Sequence, residues 1–184
     1  MRVISGILKG KIIDNPKLLN TRPLRDFVKE NIFNIIQHSK LFKFNLENKN
    51  ILDLYSGMGS FGIECISRGA KKVTFVENNK TSIKFLKKNL TSLSLDNKSI
   101  ISNEDVLQFV ESYKGNKFDM VFLDPPYKDR KYLKLFDFMN IKQICSKKHL
   151  IICHRELGES EIKFNHDKVL IKKYGRSKIY FFNL

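Results

Sequence analysis

Asp53-Leu54-Tyr55-Ser56-Gly57-Met58-Gly59-Ser60-Phe61-Gly62 is the stretch that decides the fold. It follows a short apolar run at residues 51–54 and opens an amphipathic run at 60–68, which Gly69 stops. A strand, a glycine turn and a helix in that order make a nucleotide-binding βα unit, and Gly57, Gly59 and Gly62 fit its G-x-G-x-x-G spacing. Glycine lets the backbone turn tightly and lets a ligand come close. Glu77 lies 20 residues after Gly57, at the end of the strand-like run 72–77. A carboxylate there can accept hydrogen bonds from ribose hydroxyls.

Outward from this unit the pattern repeats. Residues 81–93 read as a helix with Ile83, Leu86, Leu90 and Leu93 on one face, 99–102 as a strand and 105–113 as a helix. Residues 118–123 are a nearly continuous apolar run, as expected of a strand covered on both faces. A helix is expected within 130–146 and a strand at 150–153. Alternating strands and helices imply βαβ units and a parallel sheet. The end differs: runs 168–174 and 178–182 flank Gly175-Arg176-Ser177, which predicts a hairpin and an antiparallel finish. Before the sheet, residues 2–5 and 11–13 suggest a small β element around Gly6 and Gly10. Residues 26–37 suggest an amphipathic helix with Val28, Ile32, Ile35 and Ile36 on one face. The expected organisation is one domain over 1–184, with an N-terminal extension (1–40) and a catalytic core (41–184).

Composition removes several function classes. The apolar fraction of 42% and 15 Phe residues favour a folded globule over a disordered chain. Three Cys, at 65, 145 and 153, form neither a disulfide framework nor a C-x-x-C pair, and four His at 38, 149, 154 and 166 have no metal spacing. Apolar runs of four residues do not span a bilayer. The N-terminus has no apolar signal core, so a cytoplasmic location is expected. Lys and Arg number 34 against 19 Asp and Glu, a net charge of +15. Codon bias in a low-GC genome explains Lys in place of Arg but not the shortage of carboxylates, so a polyanionic partner, most simply nucleic acid, is expected.

Asp53 chooses among nucleotides. Beside the loop its charge would oppose a dinucleotide pyrophosphate, whereas S-adenosylmethionine (SAM) carries an α-ammonium and a sulfonium and no phosphate. After the third strand, Asn103-Glu104-Asp105 offers an acid to the adenine amine, although Asp105 is equally placed to cap the following helix.

Asp124-Pro125-Pro126-Tyr127 ends the strand 118–123, at the sheet edge where ligands bind in open α/β folds. Consecutive prolines fix φ and donate no N–H, so a nearby amine meets only acceptors. That suits methylation of an exocyclic NH₂ on a base. Its two N–H groups would bond the Asp124 carboxylate and the Pro125 carbonyl, favouring the pyramidal nitrogen whose lone pair faces the methyl group. Tyr127 would stack on the extruded base. Cys153-His154 could instead suggest a nucleophile and base, but no orienting acid or oxyanion motif is evident beside it.

With these residues in hand, the chain resembles class I SAM-dependent methyltransferases of the amino-group type. Arg2-Val3-Ile4-Ser5-Gly6, Lys9-Gly10, Thr21-Arg22-Pro23, Val28-Lys29-Glu30, Phe33-Asn34-Ile35 and the late Tyr174-Gly175-x-Ser177 resemble the RsmD family, nearly end to end. The resemblance implies a Rossmann-like class I methyltransferase fold: an α/β, mostly parallel seven-stranded sheet with helices on both faces, an antiparallel C-terminal hairpin and a small N-terminal β/α extension. It implies methyl transfer from SAM to N2 of a guanine in 16S rRNA, within a partly or fully assembled small ribosomal subunit, by a monomer with no membrane partner and no metal. Carried over position by position, Asp53, Ser56, Gly57 and Gly59 surround the cofactor's methionine part, Glu77 holds the ribose and Asp105 lies on the adenine side. Asp124, Pro125, Pro126 and Tyr127 form the catalytic loop, and Arg22 contacts RNA or cofactor. Leu24 departs from the family's small polar residue, and Asn103-Glu104-Asp105 from its Gly-Asp pair. Arg2, Lys9, Lys11, Lys17, Arg22 and Arg25 are expected to contact phosphates. The alternatives are a DNA adenine-N6 or cytosine-N4 methyltransferase, which 184 residues leave without a separate recognition domain, a NAD-type oxidoreductase, and a non-catalytic RNA-binding protein.

Overall fold

Side chains of alternate strand residues leave a sheet on opposite faces, and here both faces are apolar. The computed structural model describes residues 1–16, 24–126, 129, 132–157 and 169–183. Among these, β1 (Asn50–Leu54), β2 (Lys72–Val76), β3 (Ser99–Ser102), β4 (Phe118–Leu123), β5 (Cys145–Glu156), β6 (Leu170–Tyr174) and β7 (Ser177–Phe182) form one seven-stranded sheet in the order β3-β2-β1-β4-β5-β7-β6. The first five strands in that order are parallel, and β7 is antiparallel to both β5 and β6. The described residues also form the α-helices α1 (Asp26–His38), α2 (Ser60–Ser67), α3 (Lys80–Ser92), α4 (Val106–Ser112) and α5 (Tyr132–Lys142). None is long and apolar enough to cross a membrane.

One sheet face presents Ile51, Phe75, Phe122, Ile152 and Phe181 to α1, α2 and α3. The other presents Leu52, Val76, Val121, Ile151 and Phe182 to α4 and α5. The first layer is bound by a ring stack: Phe61 of α2 lies 3.7 Å above Phe122 with planes 9° apart, and Phe33 of α1 stacks on Phe61 at 5.0 Å.

The α/β architecture, the parallel order and the antiparallel hairpin expected from the sequence are all present. The boundaries differ in places. β5 runs from Cys145 to Glu156, well beyond the apolar residues 150–153, because its polar ends are paired with β4 and β7. The helix over 80–92 stops before Leu93, which caps it half-buried. In α1 the buried stripe is Val28, Lys29, Ile32, Phe33 and Ile36, so Ile35 yields its place to Phe33, and a lysine is fully buried. The N-terminal β element is a single bridge, Arg2 with Ile12, rather than two strands.

That element is held by charge. Glu64 of α2, fully buried, accepts the N–H groups of Ile4 and Ser5 at 2.7 and 3.0 Å. Lys29 Nζ, also fully buried, lies 3.7 Å from Glu64 Oε2 and donates to the Arg2 carbonyl at 2.9 Å and to Ser60 Oγ at 3.1 Å. Burial pulls the Lys29 pKa down, and the Glu64 and Asp26 carboxylates oppose the shift. A second tie is Asn89 of α3. Its Oδ1 accepts the Asp14 N–H at 2.9 Å, while its Nδ2 donates to the carbonyls of Asp14 and Met58 at 3.2 and 3.1 Å.

Candidate active site

The sheet order reverses between β1 and β4, and the crevice at such a switch point, beyond the C-terminal strand ends, is where this architecture binds ligands. Leu54 pairs with Val76 on one side and Leu123 on the other, so Tyr55, Glu77 and Asp124 leave the sheet together. The loop between β1 and α2 is held from two sides. Ser56 N–H donates to the Val76 carbonyl at 3.1 Å, and Glu77 Oε2 accepts the Gly57 N–H at 2.8 Å. The other Glu77 oxygen accepts from Asn78 and Asn79 N–H at 3.0 and 2.9 Å, which fixes the side chain at the tip of β2.

Two glycines in the loop do different work. At Gly62 an added Cβ would stand 2.3 Å from the Phe75 ring, so glycine is needed for α2 to pack on β2. At Gly57 the backbone has φ +54° and nothing lies within 4 Å of an added Cβ. Gly57 therefore borders open space, the kind of cradle that a ligand fills. Beside it, Ser56 Oγ is buried and makes no hydrogen bond among the described residues.

Asp53 lies beneath this cradle, 1% exposed, and one carboxyl oxygen accepts the Gly62 N–H at 3.0 Å. Burial pushes its pKa up to about 8, the Gly62 bond opposes the shift, and Asp124 and Glu77 add to it. This amends the expectation of a standing negative charge beside the loop: without a cationic neighbour the group is mostly protonated at neutral pH. Asp105 caps α4 by accepting the Leu107 N–H at 2.9 Å and remains half-exposed at the end of β3. Of the two functions its position allowed, the cap is formed.

At the end of β4, Asp124 Oδ1 meets His154 Nδ1 at 2.8 Å, and His154 Nε2 meets Ser177 Oγ at 2.9 Å. The next residue on β5, Arg155, is buried, with its guanidinium 4.3 Å above the Tyr132 ring. Its Nη1 donates to the Pro125 and Pro126 carbonyls, both at 3.4 Å. The prolines therefore do not wait with empty acceptors for an amine, as the sequence suggested. A carbonyl has a second lone pair, so Pro125 can still accept. Cys153 is fully buried in the second core layer, and His154 faces Asp124, so the two do not form a nucleophile–base pair. Tyr55, at φ +58°, donates its hydroxyl to Asp129 at 3.2 Å on the α5 side of the crevice. Burial and the Asp129 carboxylate raise its pKa.

Tyr127 and Arg22 lie outside the described residues, as do Lys17, Thr21 and Pro23. No cluster of three or more metal-ligating side chains occurs among the described residues. Sequence reasoning missed His154 as a partner of Asp124, because its signal was a histidine one step past the apolar core of a strand. It places Arg155 and Glu156 at the crevice end of their strand without deciding their role, and it misses the contact of Arg155 with the proline carbonyls, the buried Lys29–Glu64 pair and the Asn89 bridge.

A family model described as Conserved hypothetical protein 95 matches residues 1–183. The chain belongs to this family. A member, the ribosomal RNA small subunit methyltransferase D of Buchnera aphidicola subsp. Acyrthosiphon pisum, is 32% identical to it over 87% of this chain and 80% of the relative. The Conserved hypothetical protein 95 family is thus the RsmD family that the sequence resembles. Among solved structures, yhhF of Escherichia coli superposes with a TM-score of 0.83 at 23% identity, covering 98% of this chain and 96% of that one. SMU.776, solved as a complex with S-adenosylhomocysteine (SAH), superposes with a TM-score of 0.62 at 16% identity, covering 83% of this chain and 48% of that one. These two likenesses concern the fold.

Proposed function

We propose that this RsmD-family protein is a SAM-dependent methyltransferase that modifies the exocyclic N2 amine of a guanine in 16S rRNA. The observation that carries the reading is the meeting of two sites at one crevice. The glycine cradle, Asp53 and Glu77 form one side, and Asp124 followed by two prolines forms the other. A site that brings a cofactor for group transfer to a carboxylate beside fixed carbonyl acceptors is suited to a nitrogen that carries hydrogens.

The residues fit SAM. Gly57 borders open space, Ser56 Oγ has an unfilled polar valence, Asp53 can neutralise a cation, and Glu77 stands where ribose hydroxyls would lie. When bound, SAM supplies an electrophilic methyl group on a positively charged sulfur. Everything else falls to the chain. Asp124 and the Pro125 carbonyl accept the two amine N–H groups and turn the nitrogen lone pair toward the methyl carbon. The lone pair aimed by Asp124 and Pro125 would become the new N–C bond, the donor's sulfur keeping the pair of the C–S bond. Asp124 stabilises the charge that the nitrogen acquires until its extra proton passes to water. The acceleration comes from orientation and from fixed electrostatics around that charge. Tyr127 stacks on the base, which must leave its own stack to reach the crevice.

Arg2, Lys9, Lys11 and Arg25 are exposed on the N-terminal extension and give RNA phosphates their first contacts, with Lys17 and Arg22 continuing the set. The chain works as a single catalytic domain and as a monomer, on rRNA within a partly or fully assembled small subunit. The test is product identity. The protein and SAM are incubated with small ribosomal subunits from a strain lacking the enzyme, and the digested RNA is analysed by mass spectrometry. N2-methylguanosine is the expected product. N6-methyladenosine would keep the amine chemistry and overturn the base, and no methylated nucleoside would overturn the substrate.

A further inference from the structure

We infer that His154 is a positioning residue for methyl transfer, holding the Asp124 carboxylate in one orientation while Ser177 holds the far side of its imidazole. The inference rests on the reading that Asp124 meets the target amine. It is carried by a continuous chain of contacts across three strands: Asp124 Oδ1 to His154 Nδ1 at 2.8 Å, then His154 Nε2 to Ser177 Oγ at 2.9 Å. The topology makes this chain. β5 pairs with β4 through Cys153 and Leu123, which places His154 beside Asp124 one step on. β5 pairs with β7 on its other edge, His154 facing Ile179 and Glu156 facing Ser177, which makes Ser177 the diagonal neighbour of His154.

The protons are settled by what each atom can do. An ionised carboxylate only accepts, so the hydrogen between Asp124 and His154 belongs to Nδ1. A neutral imidazole with its hydrogen on Nδ1 presents a lone pair at Nε2, and the Ser177 hydroxyl donates to it. His154 is 7% exposed, so water competes poorly for either bond. Asp124 is half-exposed, with Oδ1 occupied by His154 and Oδ2 left to the substrate. A carboxylate at a strand end has two free χ angles. A bond from the neighbouring strand removes that freedom before substrate arrives, which is the preorganisation that transfer to a weakly nucleophilic nitrogen requires.

The contact uses Nδ1, and the amide nitrogen of asparagine occupies nearly the position of Nδ1, whereas that of glutamine reaches toward Nε2. The test therefore compares His154→Ala, His154→Asn, His154→Gln and Ser177→Ala in steady-state methylation of unmodified small subunits, with SAM binding followed by calorimetry. His154→Ala should lower kcat by about 10- to 100-fold, the scale on which misorientation of a reacting group costs rate. KM and SAM affinity should stay within about twofold of wild type on that same account, since neither depends on aiming the amine. His154→Asn should recover most of the lost kcat, His154→Gln should not, and Ser177→Ala should lose less than His154→Ala. Wild-type kcat in His154→Ala would overturn the inference. Equal loss in the Asn and Ala variants, with SAM binding intact, would also overturn it, by reducing His154 to a packing residue. Asp124→Ala measured in parallel separates the two levels. If Asp124→Ala is active, the underlying reading fails, and if it is inactive while His154→Ala is not, only the role of His154 fails.

Discussion

Lys29 Nζ and Glu64 Oε2 face each other at 3.7 Å with both side chains fully excluded from solvent, and between them they fasten α1, α2 and the first residues of the chain. Removing Glu64 leaves Lys29 buried without its nearest carboxylate and takes the acceptor from Arg68, Ile4 and Ser5, whereas removing Lys29 leaves Glu64 paired with Arg68 at 2.7 Å. Glu64→Leu should therefore destabilise the protein by about 3–5 kcal/mol, Lys29→Met by less, and the double variant Lys29→Met/Glu64→Leu by less than the sum of those two single changes. Urea unfolding of the four proteins measures this, and strict additivity would show that the two charges do not interact.

On the proposed function, Asp53 should make cofactor binding pH-dependent. Its carboxyl titrates near 8 in the free protein, and a cation beside it favours the ionised form. Binding at pH 7 should release a proton, and SAM affinity should rise between pH 6 and 7.5. Calorimetry in two buffers of different ionisation enthalpy detects the proton, and Asp53→Asn should abolish its release. The same group has a stability consequence of opposite sense. A raised carboxyl pKa means that the folded state holds more protons than the unfolded one between pH 4 and 8, so this contribution to stability falls as pH rises through that window. Asp53→Asn should flatten the fall, as measured by thermal unfolding without ligand.

The two loop glycines separate folding from binding. Gly62→Ala drives a methyl group into the Phe75 ring and should cost about 1–3 kcal/mol of stability. Gly57→Ala meets no atom and should cost about 1 kcal/mol for its left-handed backbone. Because that methyl group enters the space assigned to the cofactor, Gly57→Ala should nevertheless lose SAM binding by tenfold or more. Equal affinities for the two variants would remove the cradle from the cofactor site.

RNA affinity should fall steeply with salt. Each phosphate contact adds about 0.7–0.9 to the slope of log K against log salt. Replacing Arg2, Lys9, Lys11 and Arg25 together by Ala should lower the magnitude of that slope by about 3 while leaving SAM affinity unchanged. An unchanged slope would place the RNA on another surface.

Much of this molecule is legible before folding. The glycine loop, Glu77 and Asp124 each sit at a strand end, and strand ends follow from apolar periodicity and turn residues, which are local. What was not legible is long-range. Nothing near residue 154 announces that its partners are 30 residues upstream and 23 downstream, because that juxtaposition exists only once β5 lies between β4 and β7. Lys29 reads as a solvated member of a polar helix face until α1 docks on Glu64. Asp53 stands at the end of β1 as its place in the motif implies, but sequence shows neighbours along the chain and not the burial that pushes its pKa up. The ends of β5 escaped for a similar reason: residues 154–156 extend the strand because β7 pairs them, and Cys145 because it pairs with Phe118 of β4.

Asn89 uses both halves of its amide at once, accepting from the Asp14 N–H and donating to the Asp14 and Met58 carbonyls. Neither aspartate nor leucine could do the same, since one lacks the donor and the other lacks both. Through this side chain Asp14 of the N-terminal extension and Met58 of the glycine turn share one anchor on α3. On the proposed function, a cofactor in the turn and an RNA on the extension would bear on the same amide.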